Sequence, residues 1–501
     1  MFDMFMHGLS LLLSFQNFVA IICGTGLGVL LGAIPGLTGI MAIALIIPFT
    51  YHINPITALI LLMGVSKGAT YGGSISAILI NTPGTPAASA TALDGYPLAR
   101  QGKSLKALKM ALYASVLADT FSDLILIVVA GYLARMALKF GPPEYAMLIV
   151  FSLTIIGAVS GESVVKGMIS AAAGLFIGTI GLDPVEGIPR FDFGIVELYE
   201  GIPLLPMMIG LFALSEILRQ SEEKIVGKIK TVFLPVSEKP EDNRVTGDEM
   251  KRCVKPIARA SIIGTFLGAV PGIGPTVAAF LSYGETRRTA KDPSSFGRGA
   301  IEGVAAAEAG NNAVCGANLI PLLTLGIPGD STAAVLLGAF MIQGLAPGPL
   351  LFQKHGYIVY AFFLGLILCN VSNFFLGTIA IKISRKICNI SKIMILPIVL
   401  ILCCVGSYAF NNSLLDVKLM FLFGVIGYFM TKFGFATAPM LIAFILEPIG
   451  EQAIRQSLLL SDGSVLIFFT RPIAVAFIAL TIFAIIFSIF RARIGKGEEF
   501  A

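Results

Sequence analysis

"GAIPGLTG" (Gly32–Gly39) and "GAVPGIGP" (Gly268–Pro275) are nearly one phrase written twice, each just after an apolar run. A Gly-Pro-Gly there breaks a helix, because proline removes a backbone donor and glycine admits backbone angles that other residues avoid. The 501 residues around these breaks are 56% hydrophobic and 13% charged, about half the ~25% charge of a soluble domain. Apolar stretches recur throughout, among them "LILIVVAGYLA" (Leu124–Ala134) and "IALTIFAIIFSIF" (Ile478–Phe490). The composition predicts an all-α polytopic membrane protein. The alternating ten-residue strands of a β-barrel are absent.

The repetition goes further. "NTPGTPAASA", with Pro83, answers "LGIPGDSTAA", with Pro328; "LLPMMIGLFALSEIL", with Pro206, answers "TAPMLIAFILEPIGE", with Pro439. The offsets of the three pairs are 236, 245 and 233 residues, in the same order, which indicates an internal duplication. Loop charge gives its sense. "TYHINP" has no Lys or Arg, whereas its counterpart carries Arg287, Arg288, Lys291 and Arg298. Conversely, Arg100, Lys103, Lys106 and Lys109 follow the first "TPG" segment, and Lys354 alone follows the second. Positive charge changes sides between equivalent loops, as in inverted repeats.

The predicted organisation is a first inverted repeat over 1–219, a cytoplasmic linker over 220–256 and a second inverted repeat over 257–455. An extra transmembrane helix and cytoplasmic tail follow over 456–501. Apolar segments too short to span read as half-helices and re-entrant hairpins. The N-terminus is placed outside and "RARIGK" in the cytoplasm, with Arg135 and Lys139 falling against the charge rule. "MFDMFMHGLSLLLSFQ" has no basic n-region and no A-x-A site, so it is expected to stay attached rather than act as a secretory signal.

Several functions are disfavoured. The formal net charge of +5 sits in short loops, which fits membrane topology and gives no nucleic-acid partner. Seven cysteines without a C-x-x-C and three scattered histidines offer no zinc or redox site. "GYPLARQGKS" lacks the glycine spacing of a phosphate-binding loop, and no G-x-S-x-G or H-E-x-x-H occurs, so no enzyme is expected.

Paired breaks inside a bilayer point to a midplane transport site, because irregular backbone survives there only when protein or a wet cavity satisfies it. Gly24, Gly28 and Gly32 form a G-x-x-x-G ladder that reads as helix packing. Around the second pair of breaks cluster Asn81, Thr82, Gly84 and Thr85, and Asn311, Asn312, Gly329, Asp330, Ser331 and Thr332. A helix starts after each break, and its free N–H groups suit an anion, so these ten are the expected substrate-binding residues. Oxygen donors at Gly36, Ser76, Gly272, Asn318 and Thr324 are the expected cation ligands, with no metal other than Na+ and no cofactor. Asp119 and Asp123, four apart, share a helix face and suggest proton or Na+ coupling, the alternatives being contact with the partner subunit or a place near the membrane boundary after Lys109. Lys67 is expected to pair with the substrate or with an acid, Glu302 and Glu308 being candidates.

"GAIPGLTG", "YGGSISAILINTPGTPAASATALDGYPLARQG" and "NNAVCGANLIPLLTLGIPGDSTAAVLLGAFMIQGLAPGP" resemble the signature segments of the tripartite tricarboxylate transporter family, large membrane subunit of the TctA type. The resemblance runs over nearly the whole chain; Cys315 stands where Ala or Gly is expected. It implies a secondary transporter of the inner membrane for di- and tricarboxylates and related organic acids. A small four-helix membrane subunit and an extracytoplasmic solute-binding protein are its implied partners, and a Na+ or H+ gradient its energy source. A passive anion channel or a structural scaffold for a solute-binding protein is the alternative. A channel would show rings of like charge, and a scaffold would not need two polar breaks at equivalent depth.

Overall fold

The computed structural model describes residues 2–159, 163–183, 186–222, 237–388 and 392–498. It is built from helices: α1 (Phe2–Leu12), α2 (Phe15–Ala33), α3 (Gly39–Thr50), α4 (Pro55–Ile80), α5 (Ala88–Arg100), α6 (Ser104–Ala137), α7 (Pro142–Val159) and α8 (Val164–Gly178). Then come α9 (Leu204–Met208), a π-helical stretch (Ile209–Leu214), α10 (Ser215–Glu222), α11 (Gly247–Gly268), α12 (Gly274–Thr289), α13 (Ile301–Ala317), α14 (Leu319–Leu325) and α15 (Ser331–Ile342). The chain continues with α16 (Pro349–Lys354), α17 (Gly356–Cys388), α18 (Lys392–Asn411), α19 (Leu414–Lys432), α20 (Thr437–Leu460), α21 (Ile467–Thr470) and α22 (Pro472–Glu498). Strands are confined, among the described residues, to one antiparallel pair, β1 (Gly181–Leu182) with β2 (Pro189–Arg190).

Four described helices are long and apolar enough to cross a membrane: Phe15–Ala33, Ser104–Ala137, Gly356–Ser384 and Leu414–Lys432. Shorter apolar helices, such as Gly39–Thr50 and Ser331–Ile342, accompany them. The polytopic helical reading is therefore met.

The chain forms two compact units, each drawn from both sides of the linker. One comprises residues 1–132 and 216–406, the other residues 133–215 and 407–501. In the first unit the glycine ladder has a partner ladder that the sequence reading did not single out. Gly24, Gly28 and Gly32 on α2 face Gly64, Gly68 and Gly72 on α4. A methyl at Gly28 would sit 2.9 Å from Ala69 N, and one at Gly68 would sit 2.8 Å from Val29 N. Backbone meets backbone, so dispersion and close fit hold the pair where lipid removes the hydrophobic drive. The same scheme recurs 236 residues later on α11, where Gly264 and Gly268 press on α13 against Ala313 and Ala317. In the second unit α20 packs on α7 and α8, α22 on α7, and α19 on the π-helical stretch. Arg190 there holds Glu451 in a two-pronged pair (2.9 and 3.1 Å), and Arg455 reaches Asp183 at 2.7 Å.

Within the stretch assigned to the linker, residues 223–236 lie outside the described residues. From Thr246 the chain is already shaping a helix: Thr246 and Glu249 form a reciprocal capping box, and α11 starts at Gly247. Ser237 N–H donates to Gly102 O (2.9 Å), and Lys106 pairs with Glu249 (2.6 Å), which ties this segment to the turn between α5 and α6. The Ser237 hydroxyl, then Lys103, Lys106 and Lys239, hold the Asp242 carboxyl below its ordinary value.

Gly28→Ala and Gly68→Ala should each cost about 1–3 kcal/mol, the usual penalty of overpacking a rigid contact. Gly284→Ala, exposed on α12 with no atom within 4 Å of its added methyl, should instead stabilise by roughly 0.5–1 kcal/mol. Thermal melts of the detergent-solubilised protein would read the opposite signs; equal shifts would contradict the ladder packing.

Candidate functional site

The two Pro-Gly breaks lie in the first unit and share part of their local bonding at an offset of 245 residues. Helix α4 ends at Ile80 and α14 at Leu325, and each is followed by a left-handed residue, Asn81 (φ 52°) or Gly326 (φ 76°). Only glycine, and less readily asparagine, adopts that conformation cheaply. Thr82 N–H then donates to Ser76 O, and Ile327 N–H to Pro321 O, both at 3.3 Å. Further along each break comes a glycine in close contact with neighbouring backbone. A methyl on Gly84 would meet Gly32 O and lie 2.8 Å from Gly73 Cα; one on Gly329 would lie 3.1 Å from Gly268 O and 3.0 Å from Asn318 Cβ. Thus each Pro-Gly break rests on the glycine that opens the Gly-Ala-x-Pro-Gly of its own half. In the second half the two breaks also bond directly, Gly272 N–H donating to Gly329 O at 2.7 Å.

Packing around the breaks is reciprocal. Helix α5, which follows the first break, packs on α12 and α13; α15, which follows the second, packs on α3 and α4. Each half therefore inserts its post-break helix against the other half.

The predicted site residues are divided among three places. Asn311, Asn318, Asp330 and Thr332 line a small chamber with Ser66, Thr70 and Cys315. Its volume is about 30 Å³, room for one or two waters or one bare monovalent cation and far too little for an organic acid. Asn311 Nδ2 and Asn318 Oδ1 are buried without a partner. Asp330 Oδ1 accepts from Ala333 N–H (2.7 Å) and caps α15. Asn81 and Pro83 instead line a separate open depression of about 330 Å³ with Ser89, Tyr96 and Pro97. Thr85 Oγ1 accepts from Ala88 N–H at 3.3 Å at the start of α5. Asn312 belongs to neither place: its amide reaches Ser115 Oγ (2.9 Å) and Glu308 O (3.0 Å).

Among the expected cation ligands, Asn318 alone lines the chamber. The Gly36 carbonyl accepts from Gln220 Nε2. Ser76 and Thr324 donate to carbonyls of their own helices, Gly73 O (3.3 Å) and Ile320 O (2.6 Å).

Beyond the breaks, the fold gathers buried charge. Lys67 Nζ donates to Asp119 Oδ1 (2.6 Å), Asp123 Oδ2 (2.8 Å) and Asn370 Oδ1 (3.1 Å), spending its three hydrogens inside the protein. Asn370 Nδ2 also donates to Asp123 (2.8 Å). The acids that accompany Lys67 are thus those on α6. Glu302 is 3.5 Å from Arg252, and Glu308 has its own set of partners: Ser74, Thr91, Ser115 and Asn312. Of these, Thr91, Ser115 and Asn370 escaped the sequence reading. Ser115 had a signal, because it stands four residues before Asp119 and eight before Asp123, on one face of α6. Asn370 had none, since it comes from a helix 303 residues away from Lys67 in sequence.

Removing one member of a buried ion cluster strands the others. Lys67→Met should therefore destabilise by about 3–5 kcal/mol, with much of that recovered in Lys67→Met/Asp119→Asn/Asp123→Asn. Melting temperatures of the single and triple variants test this; a triple variant no better than the single would contradict the pairing.

A family model described as "Tripartite tricarboxylate transporter TctA family" matches residues 18–442. A relative from Agrobacterium vitis, the uncharacterized 52.8 kDa protein in the TAR-I ttuC' 3' region, is 36% identical over 486 residues, covering 96% of this chain and 95% of its own. A second from the same organism, the uncharacterized protein in the TAR-II ttuC' 3' region, is 34% identical over 236 residues, 47% of this chain and 98% of its own. No solved structure matches significantly.

Proposed function

The chain belongs to the tripartite tricarboxylate transporter TctA family, and on that premise we propose that it is the transport subunit of a binding-protein-dependent secondary transporter. It takes up di- or tricarboxylates or related organic acids, driven by a Na+ or H+ gradient. It sits in the inner membrane with its N-terminus outside and its C-terminus in the cytoplasm. A small four-helix membrane subunit and an extracytoplasmic solute-binding protein complete the system. The observation that carries this reading is the pair of Pro-Gly breaks, equal in backbone and reciprocal in packing. Two like breaks from inverted halves form the usual midplane site of a transporter.

Charge divides the labour between the breaks. The first N–H groups of α15 already face Asp330, and a second anion placed there would be repelled. The chamber at the second break, with Asn318 Oδ1 and Asn311 beside Asp330, therefore suits the coupling cation. The first break carries no acid. Its depression, with Asn81 and Ser89, has room for a carboxylated solute. The N–H groups of Ala88, Ser89 and Ala90 are already donated to the Thr85, Pro86 and Ala87 carbonyls, so α5 favours the negative charge through its dipole and not through free donors. Movement of the solute from there past the second break requires a rearrangement that opens the chamber.

Proteoliposomes holding this chain, the small subunit and added binding protein provide the test, with labelled citrate, malate and succinate as solutes. Uptake should require both the binding protein and an imposed cation gradient. Asp330→Asn should raise the cation concentration needed, whereas Ser89→Ala should raise the KM for solute. Downhill uptake alone, with no gradient dependence, would favour a passive anion channel; no solute movement at all would favour a scaffold. For the topology, Lys291→Cys should react with an impermeant thiol reagent only from the cytoplasmic face.

A further inference from the structure

Glu308 is a buried acid near the breaks whose carboxylate meets three hydroxyls. Its side chain is wholly enclosed, on the turn of α13 that precedes Asn311 and Asn312. Its neighbours arrive from four helices: Ser74 on α4, Thr91 on α5, Ser115 on α6 and Asn312 on α13 itself. Among the described residues no Lys, Arg or His pairs with it. Tyr71 on α4, the other titratable group in its field, directs its hydroxyl to Leu108 O (3.4 Å). Asp94 on α5 accepts from Gly299 and Ala300 N–H (2.8 and 2.9 Å). Lys67 is occupied by Asp119 and Asp123.

Counting hydrogens around Ser115 gives the site its character. Ser115 Oγ receives the Asn312 amide (2.9 Å) and lies 2.7 Å from Ala111 O and 2.8 Å from Glu308 Oε2. One hydroxyl hydrogen cannot serve both oxygens as a full bond. When Glu308 is ionised, that hydrogen belongs on Oε2. When Glu308 carries a proton on Oε2, the carboxyl donates to Ser115 Oγ, and the hydroxyl turns to Ala111 O. Both states keep the contact, and the heavy atoms need not move. Ser74 and Thr91 are likewise hydroxyls, able to donate or accept. At Asp119 Oδ1 and Asp123 Oδ2 the partners are an ammonium and an amide N–H, which can only donate. At Glu308, by contrast, three of the four partners are hydroxyls and only the Asn312 amide (3.3 Å) cannot reverse.

We propose that Glu308 is a reversible proton-binding site, through which this subunit moves a proton together with its organic acid. This rests on the transport reading above and concerns an ion distinct from the cation of the chamber. A lone carboxylate in a membrane interior is costly, and taking a proton from the outer water leaves a neutral carboxylic acid. Releasing that proton inside returns the carboxylate, so charge and atoms balance over the cycle. The exchange is coupled to the second break through α13, which carries both Glu308 and the chamber residue Asn311.

The test uses the complete complex in proteoliposomes, with equal Na+ on both sides, an imposed pH gradient and a trapped pH-sensitive dye. Wild type should acidify the lumen as labelled citrate, malate or succinate enters. Glu308→Gln, which fixes the neutral form, should lose accumulation above equilibrium while keeping solute exchange between the two faces. Ser115→Ala should shift the external pH of half-maximal uptake, and Ser115→Thr, which keeps the hydroxyl, should restore it. Gradient-driven uptake by Glu308→Gln at the wild-type level would overturn the proposal. So would wild-type uptake under a Na+ gradient without proton movement, although transport itself would then stand. No uptake or exchange by wild type under any gradient would remove the transport reading, and this inference with it.

Discussion

An unwound backbone inside a bilayer must find its hydrogen-bond partners within the protein. Much of this structure follows from that constraint. At each Pro-Gly break the freed groups are met locally: Thr82 N–H by Ser76 O, Ile327 N–H by Pro321 O, and Gly272 N–H by Gly329 O. Gly84 N–H to Gly73 O and Gly272 N–H to Gly329 O bring the breaks against other backbone, an approach that glycine eases. Gly84 against Gly32 and Gly329 against Gly268 are therefore consequences of putting irregular chain where there is no water. The glycine ladders of α2 and α4 extend the same economy along the helices that carry the first break.

With the breaks anchored by backbone bonds, several polar side chains around them keep atoms without a partner. The chamber at the second break is small and holds unpartnered amide atoms beside a carboxylate, while the depression at the first is wide and carries no acid. Buried charge is handled in two ways nearby. Lys67 locks Asp119 and Asp123 with donors that cannot reverse, which suits a fixed pin between α4, α6 and α17. Glu308 meets three hydroxyls that can reverse beside one amide that cannot, which suits a group that changes state.

The likeness of the two Pro-Gly breaks was legible because it is written in residues with few substitutes. Gly-Pro-Gly, Pro-Gly and the left-handed position after α4 or α14 need particular side chains, so their spacing survives as a readable offset. The partner ladder Gly64, Gly68 and Gly72 was equally present in the sequence, but its meaning depended on which helix lay opposite. The roles of individual polar residues were harder. Asn312, grouped by sequence with Asn311, turns away from the chamber toward Glu308, because adjacent residues on a helix point about 100° apart. Asp330 serves as the cap of α15 and so takes up an N–H that the sequence reading had offered to an anion.

By itself the sequence determined that this is a membrane protein of helices and where the two Pro-Gly breaks fall. Those properties reside in composition and in Gly and Pro, whose effects are local. Which side chains meet was decided by the tertiary structure alone. Asn370 reaches Lys67 across 303 residues, and Ser115 reaches Glu308 across 193. Hydrogen bonds act over about 3 Å whatever the separation along the chain, so only the packing of α4, α5, α6, α13 and α17 could select those partners.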